Sequence, residues 1–162
     1  MASLRDILVF SIILFIIGLA VVMSNYISHS IALSIINSTT ISSNPYANAT
    51  MTAGNAAINM GDYIYLGLFI GLLLFIIVSA WFVSDYPIFA PIYFFGLVIV
   101  VFVSYVLQGS WLNFLTNSVM GSTALNLPIT SFILSNLCYF TAVAGLIGLV
   151  LIYGKPKGEA SV

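Results

Sequence analysis

Charge is almost missing from this chain: three Lys or Arg and four Asp or Glu stand among 162 residues. Soluble domains carry roughly 25% charged residues, and a 4% supply cannot build a surface that faces water. With 62% of the residues apolar, lipid is the expected solvent for most of the chain. The net charge of −1 leaves no electrostatic footprint for nucleic acid. One cysteine, Cys138, excludes an internal disulfide and a cysteine-cluster metal site, and its apolar surroundings predict a packed thiol. One histidine, His29, excludes a bis-histidine haem and a His-rich metal cage. No metal or cofactor is expected.

What the chain has is long apolar runs. A helix rises about 1.5 Å per residue, so about 20 residues cross a hydrocarbon core of about 30 Å. Four runs fit, at 7–27, 63–83, 88–107 and 129–153. The expected fold is one all-α membrane domain, residues 1–162, with four transmembrane helices. Arg5 followed by Ile7–Met23 has the outline of a signal peptide. That run exceeds the ~7–15 residues of an h-region and no A-x-A site directly follows it, so a retained span is expected.

The run from Ile64 to Leu107 is too long for one span: roughly 44 residues would make a helix of about 66 Å. Its break must fall where backbone groups find partners. Only SDYP offers that: Ser84 and Asp85 are cap formers, and Pro87 removes a donor and disfavours helix at Tyr86. A turn at Ser84, Asp85 and Pro87 predicts a central antiparallel hairpin. Pro128 opens the fourth span, and Gly154 with Pro156 ends it.

The remaining stretches read as outer loops, 37–61 and 108–127. The first is rich in Ser, Thr and Asn, which favour turns over helix interiors, although weak apolar character through Ile31–Ile36 suggests that the first helix continues. In the second, Trp111, Phe114, Leu115 and Val119 share a helical face, which admits a short interfacial helix as well as a polar loop. Arg5, Lys155 and Lys157 all flank the termini, so both termini are expected on the cytoplasmic or equivalent side. Asn37 and Asn48 head N-x-[ST] sequons in the first outer loop and are candidate glycosylation sites.

Chemistry is sparsely encoded. The expected spans contain no Lys, Arg, His, Asp or Glu, which argues against a proton-coupled transporter. Asp62 and Asp85 sit at span ends on opposite membrane faces and suit helix capping. No HExxH, Gly-x-Ser-x-Gly or Walker motif is present, and no enzyme is expected. Asn136, the costliest intramembrane polar group, is expected to bond another helix or lie near the interface. Helix packing is better encoded: Gly18, the GxxxG pair Gly67 and Gly71, and the small face of Ala144, Gly145 and Gly148 permit close backbone approach. A compact bundle or lateral self-association follows.

Residues 63–108, YIYLGLFIGLLLFIIVSAWFVSDYPIFAPIYFFGLVIVVFVSYVLQ, and 127–155, LPITSFILSNLCYFTAVAGLIGLVLIYGK, carry a resemblance. Together they look like small four-span proteins encoded near capsid genes in tailless icosahedral viruses with an internal membrane. Those proteins have a hairpin broken at a hydrophobic-Pro-x-Phe element, here Asp85–Phe89, and a last span introduced by Pro. Their third span often ends in Ser-Asn-x-Tyr; here SYVLQ stands instead, without the Asn. The resemblance implies a structural role in a virion membrane, with lipid, other membrane proteins and capsid proteins as partners, and no catalytic residues. Two other readings fit the same features: a non-catalytic accessory subunit of a respiratory or oxidase-type membrane complex, and a holin-like pore former.

Overall fold

The computed structural model describes residues 2–36, 44–82, 90–117 and 120–154, and they are almost entirely helical, with no strand among them. The helices are α1 (Ala2–Ile36), α2 (Pro45–Asn59), α3 (Gly61–Phe82), α4 (Ala90–Asn117), α5 (Gly121–Leu125), α6 (Pro128–Ser135) and α7 (Leu137–Tyr153). Three stretches are long and apolar enough to cross a membrane: Leu4–Ile35, Gly61–Trp81 and Ala90–Thr116. A fourth crossing exists if α6 and α7 are counted as one broken span.

Side-chain contacts fix the helix directions. Ser79 reaches Asp6 and Tyr65 reaches Leu14, so α1 and α3 are antiparallel. Ser104 meets Ser11 while Gly96 lies against Leu4, so α4 runs parallel to α1. Tyr93 meets Gly145 and Gln108 meets Cys138, so α7 runs against α4. The bundle is therefore up-down-up-down.

Around the bundle α1 packs on α3 and α4, and α7 packs on the same two helices. The diagonal is closed by α1 against α7. Of the expected central hairpin, the structure shows the opposite directions of the two arms. Its turn, Ser84, Asp85 and Pro87, lies outside the described residues. Among the described residues its arms, α3 and α4, run in opposite directions and are not packed together as a pair. Phe10 and Leu14 of α1 and Leu137 and Ala144 of α7 are buried core residues, and these two helices occupy the space between the arms.

Both expected outer loops are largely helical. In the first, α2 occupies Pro45–Asn59. Pro45 stands at the first helical position, the Asn44 side chain accepts the Tyr46 amide at 3.0 Å, and five alanines follow. Packing along α1 completes it. In the second, α4 continues to Asn117 because Trp111 is fully buried and Phe114 and Leu115 pack on the core. The apolar perimeter is carried by side chains such as Phe75, Phe95, Phe102 and Val150, all exposed.

Candidate functional site: a polar break between α6 and α7

The stretch expected as one helical span over 129–153 is divided into α6 and α7, which are bent by 65° relative to each other. Asn136 is the joint, with φ −121° and ψ 19°. Its side-chain amide donates to the Phe132 carbonyl at 2.8 Å. Of its two expected placements, against another helix or near the interface, this bond to its own preceding turn is not the first. A broken helix in a membrane must satisfy a fresh set of backbone donors at its new N-terminus.

Side chains from other helices supply the acceptors. At the start of α6 the N-cap position is Leu127, which offers no side-chain cap. Asp62, delivered from the first turn of α3, fills the role. Its carboxylate accepts the Ile129 amide at 3.0 Å, the Thr130 amide at 2.6 Å and the Thr130 hydroxyl at 2.7 Å. Asp62 is only 4% exposed. Capping was the expected role, but the helix capped is α6. The positive ends of two helix dipoles, α3 and α6, meet on this one carboxylate. At the start of α7, Gln108 of α4 accepts the Cys138 amide through Oε1 at 3.1 Å. Trp111 donates from Nε1 to Ser135 Oγ at 3.2 Å, tying α4 to the end of α6. The Cys138 thiol is half-buried, with the Val101 carbonyl 3.9 Å away.

A second polar set crosses the middle of the bundle. Ser11 Oγ lies 2.9 Å from Thr141 Oγ1 and 3.0 Å from Ser104 Oγ, and all three residues are buried. Each hydroxyl also reaches a carbonyl four residues earlier on its own helix. These groups join α1, α4 and α7 and leave none of the three as an isolated polar group in an apolar interior. Among the described residues, no group of three His, Cys, Asp or Glu side chains is placed to hold a metal ion.

The expected packing residues divide. Gly18, Ala144, Gly145 and Gly148 are buried. A methyl group at Gly18 would come 2.7 Å from a Leu134 methyl, and one at Gly148 would come 2.9 Å from the Tyr93 hydroxyl. Gly67 and Gly71 face outward, with nothing within 4 Å of an added Cβ. Among the described residues their GxxxG therefore meets no neighbouring helix. Gly67→Ala and Gly71→Ala are each expected to leave the fold intact and stabilise α3 by about 0.5–1 kcal/mol, read from unfolding in micelles. A loss of stability in either would place a neighbour against that face. Of the sequon residues, Asn48 lies on α2 and Asn37 lies outside the described residues.

Leu127 before Pro128 was the one sequence signal for the remote cap: a proline-initiated helix with no local capping side chain needs an acceptor from elsewhere. Nothing local marks Gln108 for its task. No family model matches the chain, and neither a curated protein nor a solved structure resembles it significantly.

Proposed function

We propose that this protein is a non-catalytic structural component of a membrane, and specifically of the internal membrane of a virus particle. The observation that carries the structural role is where the buried polar groups are spent. Asp62, Gln108, Trp111 and the Ser11–Ser104–Thr141 set all serve helix–helix joints. The virion assignment rests on the resemblance of residues 63–108 and 127–155 to such proteins. In this reading both termini lie on the cytoplasmic or equivalent side, as the positions of Arg5, Lys155 and Lys157 favour. The opposite end, carrying α2 and the end of α1, docks on capsid proteins. That end has no Asp, Glu, Lys or Arg from Ile7 to Gly61, so docking there proceeds by hydrogen bonding and apolar contact.

The test is to isolate nuclease-resistant particles from the source culture on a density gradient and seek this chain by peptide mass spectrometry. Co-enrichment with encapsidated nucleic acid and lipid is expected. Absence from such particles, with recovery in a detergent-stable cellular complex, overturns the virion role in favour of an accessory subunit. Lysis on expression would instead favour a pore former.

A further inference from the structure

A crevice of about 360 Å³ opens where α1, α2 and α3 meet. Its α1 wall is Ile17, Ala20, Val21 and Ser24, and Ala57 of α2 and Gly61 and Ile64 of α3 line the other sides of this open groove. The void exists because the three helices meet through small residues. Ala20, Ala57 and Gly61 carry no side chain long enough to fill it. Its volume lies at the lower end of the ~300–1,000 Å³ typical of ligand pockets.

Three observations say what fills it. Gly61 is the first residue of the 21-residue apolar stretch Gly61–Trp81, which places the crevice at one end of a membrane-crossing segment. An acyl tail from the adjacent leaflet reaches that depth. Among the described residues the lining is apolar apart from the Ser24 hydroxyl, a lining that suits an alkyl chain. The nearest charge in sequence, Asp62, is buried and bonded to Ile129 and Thr130, so it does not offer itself to a headgroup. Leaving such a space empty forfeits dispersion contacts on every wall, and an alkyl chain restores them.

We propose that this crevice binds one acyl tail of a membrane lipid, selected by shape and without recognition of headgroup charge. The tail would act as a filler between the end of the α3 span and the α1–α2 pair.

The full chain in phosphatidylcholine vesicles, with a fraction of the lipid carrying a photoactivatable diazirine on its acyl tail, tests this. Label is expected to concentrate on peptides containing residues 17–24 and 57–64, severalfold above the lipid-facing Phe95 and Phe102 of α4. Ala20→Phe or Ala57→Phe, each filling the crevice from a different helix, is expected to cut that label severalfold. Gly67→Phe, which points outward from α3, is expected to leave it unchanged. Uniform labelling of all outward faces overturns the proposal, as does label that survives both filling variants. Efficient cross-linking between two Ser24→Cys chains would also overturn it, by placing a second copy in the crevice. The unaltered chain's labelling pattern is decisive by itself if a filling variant fails to fold.

Discussion

Replacing Asp62 by Ala is expected to cost the folded bundle about 3 kcal/mol. Hydrogen bonds to a charged group contribute roughly 1.5–3 kcal/mol each and are not additive when they share one carboxylate. Loss of an N-cap alone costs about 1 kcal/mol. The remainder comes from stranding the Ile129 and Thr130 amides and the Thr130 hydroxyl, with Thr130 fully buried. Asp62→Asn keeps one acceptor oxygen but turns an N–H₂ toward the donors, and about half the loss is expected. Thr130→Val removes only the hydroxyl and is expected to cost about 1 kcal/mol. Reversible unfolding in mixed micelles measures all three, and a double-mutant cycle between positions 62 and 130 isolates their coupling. Hydrogen exchange at the Ile129 and Thr130 amides should accelerate in Asp62→Ala ahead of the rest of the bundle. An Asp62→Ala protein within about 0.5 kcal/mol of the unaltered one, the usual range for surface changes, would show that α6 does not depend on this cap.

The second large effect is expected at Gly121, the first residue of α5. A Cβ there would run into the carbonyl oxygen of Leu115, which belongs to the backbone of α4. A helix backbone cannot step aside as a side chain can, so Gly121→Ala must shift the whole α4–α5 junction. Overpacking of this kind costs about 1–3 kcal/mol, and the upper half of that range is expected. Gly145 provides the comparison. Its added Cβ would meet a methyl of Leu97, the far end of a flexible side chain. Leu97 is buried and must shift within the core to relieve that contact, so Gly145→Ala is expected to cost about 1 kcal/mol, the lower end of the overpacking range. Unfolding of both variants under one condition gives the ordering. If Gly145→Ala is the more damaging, close packing between α4 and α7 outweighs the α4–α5 junction.

The division between sequence and structure follows from what lipid does to a pattern. Composition and run length alone establish that the chain is helical and built for a membrane. Transfer free energy depends on how many apolar residues follow one another, and that is written locally. The start at Pro128, the end at Gly154 and the close approach of Gly18, Gly145 and Gly148 were legible for the same local reasons of proline and glycine geometry. The hidden features all concern which face of a helix meets which neighbour. In water an amphipathic stripe answers that question. In lipid both faces are apolar, and the stripe disappears. The GxxxG of Gly67 and Gly71 and the buried face of Gly145 and Gly148 therefore look alike in sequence, yet one points outward and the other inward. The same loss of signal hid the bend at Asn136 and the separation of α3 from α4. Tertiary structure alone decides that Asp62 and Gln108 cap helices other than their own, because a backbone donor in an apolar interior takes the nearest acceptor in space, however far away it stands in the chain.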